Sequence, residues 1–197
     1  GGEAPGPRAG PRAGPRGGRR VALLARYPEP DPAMPQFISN HGMRMVEAAL
    51  RTAGLDGLEL RVYDLRDAPL DTVVADLLAF DPDLIGCSTY LWSLPFFVAV
   101  ARALKRDDPR RVVVLGGPSA RPSMLGQAPF RAARADIDVL VINEGEDTFV
   151  ELVALGDRRP EALATLAGVA VPDGDGWRET APRPLGDLNV LPSPYGL

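Results

Sequence analysis

The feature that most constrains the fold is a repeated alternation of short apolar runs with amphipathic segments. The predicted strands cover residues 21–27, 58–65, 83–89, 111–117 and 137–143, of which 21–27 is a continuous apolar run, and helical patterns cover 42–54, 71–80, 95–106 and 146–155. Continuous apolar runs of this length are typical of strands that are buried on both faces of a sheet. We therefore predict an α/β fold with a doubly wound, five-stranded parallel sheet and right-handed crossovers.

Composition divides the chain into three parts. Residues 1–20 repeat Gly-Pro-Arg and hold five arginines against one acid, which predicts a disordered tail. Residues 21–156 contain all of the alternating elements and predict one folded domain. Residues 157–197 predict a β-hairpin around the Asp-Gly-Asp-Gly stretch at 173–176, followed by a proline-rich linker towards a further domain.

Charge and cysteine content exclude several classes of protein. The 197 residues carry a net charge of −4, and because the tail contributes +4, the remainder carries −8. Such an acidic domain argues against nucleic-acid binding. No apolar run reaches the ~20 residues of a membrane span, and the first residues lack the apolar stretch of a signal peptide. We expect a cytoplasmic protein without a membrane partner. The single cysteine, Cys87, excludes an internal disulfide or a site of several thiolates, and we predict that it is a buried apolar side chain.

The carboxyl ends of the predicted strands are the expected place for a ligand. The segment after the first strand carries four prolines but no G-x-G-x-x-G, and the chain has no G-x-x-x-x-G-K-S/T. These absences argue against a dinucleotide or a nucleoside triphosphate. The third strand ends in Cys-Ser-Thr rather than in a phosphorylatable aspartate. Ser88, Thr89 and the Gly116-Gly117 pair favour a polar pocket that a large ligand approaches along the backbone. The residues alone leave that ligand open.

Four segments of the chain, in the same order, resemble segments of one known protein family. DPDLIGCSTYLWS at 81–93, VVVLGGPSARP at 112–122, VINEGEDTFVELV at 141–153 and LGDLNVLPSPYGL at 185–197 resemble the cobalamin (vitamin B12)-binding domains in front of radical S-adenosylmethionine enzymes, most of all methyltransferases. The resemblance covers about residues 21–197. It implies a Rossmann-like or flavodoxin-like cobalamin-binding fold.

The resemblance also implies a function and a partner. The chain is expected to bind cobalamin, and hence cobalt, as the methyl-carrier domain of a radical S-adenosylmethionine methyltransferase. Its partner would be a radical S-adenosylmethionine barrel domain with a [4Fe–4S] cluster on C-x-x-x-C-x-x-C and bound S-adenosylmethionine. With one cysteine this chain lacks that motif, so it should be inactive alone, and none of its residues is predicted to be catalytic. The alternative is a flavodoxin-like module that binds flavin or another nucleotide.

The cobalt ligand is the main departure from the wider family. Many cobalamin-binding domains carry D-x-H-x-x-G, whose histidine ligates cobalt from below. Counted back from Gly42, Phe37 and Ser39 stand at the Asp and His positions. We therefore expect base-off cobalamin without a protein histidine ligand. His41, two residues out of register, is the weaker candidate for a cobalt ligand and otherwise a polar loop or helix-cap residue.

The resemblance implies a set of cofactor-binding residues at four strand ends. They are Gln36, Phe37, Ile38, Ser39, Asn40, His41, Gly42, Ser88, Thr89, Tyr90, Leu91, Trp92, Gly116, Gly117, Pro118, Ser119, Asn143, Glu144, Gly145 and Glu146. Simpler interpretations stay open for some of them. Ser88 and Thr89 fit a helix cap, the Gly-Gly-Pro run fits a tight turn, Tyr90 and Trp92 fit core or interface aromatics, and the two glutamates fit a helix start.

Overall fold

The computed structural model describes residues 16–28, 32–33 and 40–196 of the chain. Its strands are β1 (Arg20–Tyr27), β2 (Glu59–Arg66), β3 (Leu84–Ser88), β4 (Val112–Gly116), β5 (Val139–Val141), β6 (Val169–Asp173) and β7 (Gly176–Glu179). Its helices are α1 (His41–Thr52), α2 (Leu70–Phe80), α3 (Leu94–Asp107), α4 (Pro122–Leu125), α5 (Glu146–Ala154) and α6 (Pro160–Leu163). Short 3₁₀ turns cover Arg131–Asp136, Leu188–Val190 and Pro194–Gly196.

The strands form one sheet in the order β2-β1-β3-β4-β5-β6-β7. The first five pair in parallel, as the sequence predicts, and Leu23 of β1 lies between Val62 of β2 and Gly86 of β3. The predicted hairpin forms β6 and β7, but it continues the same sheet, because β6 pairs antiparallel with β5. The strand order reverses at β1, so a crevice opens beside the carboxyl ends of β1 and β3.

Apolar side chains cover both faces of the sheet. On one face Ile85 and Leu115 pack with the helices α2 and α3. On the other face Leu23 and Val114 pack with α1 and α5. Burial of each such side chain contributes about 1.5–3 kcal/mol, which explains why the strands β1, β3, β4 and β5 are continuous apolar runs. In the described part of the chain, no helix combines the length and the apolar character that crossing a bilayer would require.

The end of the predicted tail packs on the domain. Arg158, which is 1% exposed, donates hydrogen bonds to the carbonyl oxygens of Arg16 and Gly18 at 3.0 and 2.7 Å. The Arg16 guanidinium in turn lies 2.7 Å from a carboxylate oxygen of Asp81 and 2.6 Å from one of Asp108. Among the described residues, contacts with the domain are therefore already present at Arg16, within the segment 1–20 that the sequence predicts to be a tail. Residues 1–15 lie outside the described residues.

Candidate functional site

A cavity of about 200 Å³ opens at the carboxyl ends of the parallel strands, between the sheet, α1 and α5. Nine of the twenty strand-end residues implied by the sequence line it, namely Gly42, Ser88, Tyr90, Gly116, Gly117, Pro118, Asn143, Gly145 and Glu146. The other described residues of that set, which are Asn40, His41, Thr89, Leu91, Trp92, Ser119 and Glu144, do not line it. Gln36, Phe37, Ile38 and Ser39 lie outside the described residues.

Ser88 forms part of the polar rim of the cavity. Its hydroxyl donates a hydrogen bond of 3.2 Å to the side-chain oxygen of Asn40, which is buried at the start of α1. The amide nitrogen of Asn40 lies 3.8 Å from the sulfur of Met43. Neither Ser88 nor Thr89 caps α3, since Ser93 occupies that position. Asn40 therefore holds the Ser88 side chain at the cavity rim, although Asn40 itself does not line the cavity.

The backbone of Thr89 joins the ends of β3 and β4. Its N–H donates to the carbonyl oxygen of Gly116 at 2.7 Å, and its carbonyl oxygen accepts from the N–H of Ser119 at 3.1 Å. Its hydroxyl turns back to the carbonyl oxygen of Cys87, so this buried side chain does not face the cavity. Gly117 lies between these contacts with φ of +92°, and a Cβ there would be 2.9 Å from the Thr89 carbonyl oxygen. Only glycine fits this turn without strain.

Asn143 and Glu146 line the cavity after β5. Asn143 has φ of 64°, in the left-handed region that glycine favours and asparagine tolerates better than most residues. Glu146 is the first residue of α5 and lines the cavity, whereas Glu144 is exposed. The acidic groups also suit the positive end of the helix dipole.

The floor of the cavity is apolar and was not identified from the sequence. Leu23 and Gly86 of the sheet line it together with Phe149 of α5, and Met43, Val46 and Val141 line its walls. A Cβ on Gly86 would lie 2.5 Å from the Phe149 ring and 3.0 Å from the Leu23 side chain. A glycine inside an otherwise apolar strand signals such a close approach. That glycine is the signal that would have located the floor.

Cys87 is a buried apolar residue, as predicted. It is free and it borders the cavity next to Gly86. Burial raises the pKa of its thiol far above the ordinary value, so the group is protonated at neutral pH. Among the described residues, no three His, Cys, Asp or Glu side chains come together as a metal site would require.

Aromatic side chains extend from the cavity to the surface after β3. The rings of Tyr90 and Trp92 stack with centroids 4.6 Å apart, and only Tyr90 lines the cavity. The indole N–H of Trp92 donates to the carbonyl oxygen of Arg26 at 3.3 Å, at the end of β1. Leu91 is 63% and Trp92 is 50% exposed. These two residues are therefore surface neighbours of the cavity.

His41 is the exposed first residue of α1. Its ring stacks loosely on that of Tyr195, with centroids 6.2 Å apart. The segment that carries Tyr195 is the predicted linker, which crosses α5 and ends beside α1. The linker thus reaches the side of the cavity that Gly42 lines.

The known proteins to which this chain is similar include two methyltransferases. The chain is 41% identical over 119 residues to a 2-(S-pantetheinyl)-carbapenam-3-carboxylate methyltransferase of Streptantibioticus cattleyicolor, covering 58% of this chain and 17% of that protein. It is 30% identical over 158 residues to the cobalamin-dependent radical SAM methyltransferase TokK of Streptomyces tokunonensis, covering 77% of this chain and 22% of TokK. The chain thus spans about a fifth of the length of these relatives.

Solved structures with the same fold include OxsB, a cobalamin-dependent S-adenosylmethionine radical enzyme. Its apo form gives a TM-score of 0.60 at 14% identity and covers 84% of this chain and 22% of OxsB. The form with aqua-cobalamin and S-adenosylmethionine bound gives a TM-score of 0.58. At this identity the likeness shows the fold.

The family is established by a match to a family model. The B12 binding domain model matches residues 34–153, which is more than half of the 197 residues. The matched region contains α1, the parallel strands β2 to β5, α5 and nearly all of the cavity lining. The chain therefore belongs to the B12-binding domain family.

Proposed function

We propose that this chain binds cobalamin in the cavity at the strand ends and serves as the cobalamin-carrying part of a radical S-adenosylmethionine methyltransferase. The observation that carries the proposal is the convergence of three strand-end segments, 88–90, 116–118 and 143–146, on one cavity. The B12-binding match supports cobalamin as the ligand, and no comparison favours the flavin alternative.

The size of the cavity supports binding of one part of a large ligand. Pockets that enclose a whole drug-sized ligand measure about 300–1,000 Å³, and this cavity measures about 200 Å³. Cobalamin is far larger, with a corrin ring and a nucleotide tail. We therefore assign the cavity to the nucleotide tail, with the corrin ring outside its mouth.

The residues of the cavity fit that tail in two ways. Ser88, Asn143 and Glu146 offer polar atoms at the rim, where the ribose and its attached polar groups would lie. At Gly116, which also lines the cavity, a Cβ would meet nothing closer than Val141 at 3.9 Å, so the backbone there is open to a ligand. Bound cobalamin would supply a cobalt atom that can carry a methyl group. The chain's own residues hold the tail, exclude water from it and orient the ring.

We further propose that no histidine of this chain ligates the cobalt. His41 is the only histidine in the sequence, and it lies outside the cavity lining with its ring against Tyr195. This position supports base-off binding with the tail in the cavity and no protein imidazole under the metal. Gln36, Phe37, Ile38, Ser39 and Asn40 are the proposed neighbours of the lower face.

The rest of the enzyme is proposed from the relatives. Both methyltransferases are several times longer than this chain, and TokK is named as a radical SAM enzyme. With one cysteine, this chain cannot itself hold a cluster on three cysteines. The proposed partner is therefore a radical S-adenosylmethionine domain that carries the [4Fe–4S] cluster and S-adenosylmethionine.

The experiment that tests the proposal is direct. The purified chain is mixed with hydroxocobalamin, desalted and examined by visible absorption. We expect a coloured protein with about one corrinoid per chain, and a colourless protein would refute cobalamin binding. A yellow protein before any addition would point to flavin instead.

A second measurement tests the axial ligand. His41→Ala should leave the visible spectrum of bound cobalamin unchanged, and electron paramagnetic resonance of the cobalt(II) form should lack nitrogen splitting. A spectral change on His41→Ala, or nitrogen splitting that this substitution removes, would show that His41 ligates the metal.

A further inference from the structure

The cavity has a chemical gradient from its mouth to its floor. Ser88, Asn143 and Glu146 stand at the ends of β3 and β5 and at the start of α5, where solvent reaches them. Leu23 and Gly86 lie opposite each other in the sheet, two residues deeper than the Ala25–Ser88 pair. The polar groups are thus confined to the rim.

The floor offers almost no hydrogen-bonding capacity. Leu23 and Phe149 are buried hydrocarbon, and the backbone of Gly86 pairs with β1 and β4. Met43, Val46 and Val141 complete the walls. The Cys87 thiol is a weak donor, and burial raises its pKa so that it carries no charge at neutral pH.

From this gradient we propose that the floor of the cavity selects the lower base of the corrinoid, accepting a benzimidazole and disfavouring a purine. The inference rests on the proposed function, because it assumes that the nucleotide tail enters this cavity. The methylated ring of 5,6-dimethylbenzimidazole, the base of cobalamin, matches an apolar floor. Adenine, the base of pseudocobalamin, would bury an amino group and ring nitrogens without partners.

The residues that determine this selectivity are Gly86, Phe149 and Val46. Because a Cβ on Gly86 would meet the Phe149 ring at 2.5 Å, the glycine fixes how deep the ring lies and hence how much space the base has. Val46 lines the wall from the second turn of α1. A hydroxyl at Val46 would add the hydrogen-bonding group that this part of the cavity lacks.

The test compares three corrinoids on the full chain: cobalamin, pseudocobalamin and cobinamide, which has no nucleotide tail. Dissociation constants are measured by equilibrium dialysis with visible absorption. We expect cobalamin to bind at least about tenfold more tightly than either of the others, since burial of unpaired polar groups is costly. Equal binding of cobalamin and pseudocobalamin would overturn the selectivity while leaving cobalamin binding intact. Equal binding of cobinamide would overturn it too, and a failure of all three would refute the proposed function itself.

Two variants test whether the selectivity comes from the floor of the cavity or from the corrinoids themselves. Val46→Thr should shift the ratio of the two dissociation constants towards pseudocobalamin by about threefold or more, because the hydroxyl can pair with the purine. Val150→Thr is the matched control, since Val150 lies on α5, packs on the same cluster and does not line the cavity. An unchanged ratio in Val46→Thr, or an equal shift in Val150→Thr, would overturn the assignment to the floor. Both ratios are measured on variants shown to be folded by circular dichroism.

Discussion

Gly117 is the residue whose backbone conformation most directly controls the proposed site. Its φ of +92° is strained for any other residue, and a Cβ would press on the Thr89 carbonyl oxygen. Gly117→Ala should therefore lower the free energy of unfolding by about 1–3 kcal/mol. It should also weaken cobalamin binding, since the two loops at the cavity move apart. Thermal unfolding and equilibrium dialysis measure the two effects.

Gly42 provides the control for Gly117. It also lines the cavity, but it lies in the first turn of α1 and a Cβ there would meet nothing within 4 Å. Gly42→Ala should leave stability unchanged or raise it by up to about 1 kcal/mol, as alanine favours helices. Equal stability of the Gly117→Ala variant and the wild type would contradict the role assigned to the turn.

Tyr27 is predicted to make stability depend on pH in the alkaline range. This last residue of β1 is 6% exposed, and its hydroxyl has no hydrogen-bond partner in the described part of the chain. Burial, helped by the charge of Asp64, raises the pKa of Tyr27 to about 12. An unfolded tyrosine ionises near pH 10. Below about pH 10 Tyr27 is neutral in both states, so its ionisation does not affect stability. The free energy of unfolding falls as the pH rises from about 10 to about 12, because the unfolded state ionises first.

Tyr27→Phe tests this account. Removal of the unpaired hydroxyl should raise the free energy of unfolding by roughly 1 kcal/mol at neutral pH. The advantage of the variant should grow between pH 10 and 12, as measured by urea unfolding. An advantage that stays constant or shrinks over that range would show that the hydroxyl has a partner or is open to solvent.

The predicted linker is held on α5 by one arginine. The Nε atom of Arg183 donates to the Thr148 hydroxyl at 2.7 Å, and its guanidinium pairs with Glu151. Because Glu151 is half exposed, the pair contributes little to global stability, within about 1 kcal/mol. It instead determines where the segment that ends at Tyr195 lies.

Arg183→Ala should release that segment. We expect proteolytic cleavage between residues 184 and 196 to become several-fold faster, with the unfolding temperature almost unchanged. Arg178→Ala is the matched control, because within the described part of the chain Arg178 pairs only with exposed Asp173 on the hairpin. Equal cleavage of the Arg183→Ala variant and the wild type would contradict the anchoring role.

Arg158 joins α5 to the segment before β1. It donates to the carbonyl oxygens of Leu152 and Val153 at the end of α5, as well as to those of Arg16 and Gly18. Burial lowers the pKa of Arg158, but the group stays charged and is solvated by these carbonyls. Arg158→Ala should cost about 2–4 kcal/mol, since two buried and two partly buried acceptors lose their donor.

The neighbouring Arg159 is the natural control for Arg158. It is exposed and pairs with Asp157 two residues away. Arg159→Ala should change the free energy of unfolding by no more than about 0.5 kcal/mol. Similar losses in the two variants, measured by chemical denaturation, would contradict the role of the Arg158 hydrogen bonds.

For the molecule as a whole, the sequence predicted the parallel sheet and the main helices better than the short elements around them. The five parallel strands and the four main helices are confirmed. Burial on both faces gives β1, β3, β4 and β5 a clear apolar pattern, whereas the edge strand β2 alternates. The sequence did not identify α4, α6 or the turn at Arg131–Asp136, which are too short to show a helical period. Nor did it show that the hairpin joins the sheet, since edge pairing depends on tertiary contacts.

The sequence pointed to the polar residues and glycines at the mouth of the cavity but not to the apolar residues of its floor. Ser88 and Gly117 interrupt apolar runs at strand ends, which marks them as candidate site residues, and both line the cavity. Leu23 and Phe149 follow the same pattern as the core residues around them, so nothing in the sequence marks them as cavity lining. Nor does the sequence show where the Thr89 side chain points, since its hydroxyl donates to the carbonyl oxygen of Cys87 in β3.

The central claim is that cobalamin binds at the carboxyl edge of this sheet, and hydrogen exchange with and without hydroxocobalamin tests it most directly. We predict that the largest slowing on addition of the cofactor falls in peptides that cover residues 86–93, 116–120 and 143–150. Residues 104–112, at the opposite edge, should change least. Slowing that is largest at residues 104–112, or no change anywhere at saturating hydroxocobalamin, would contradict the account.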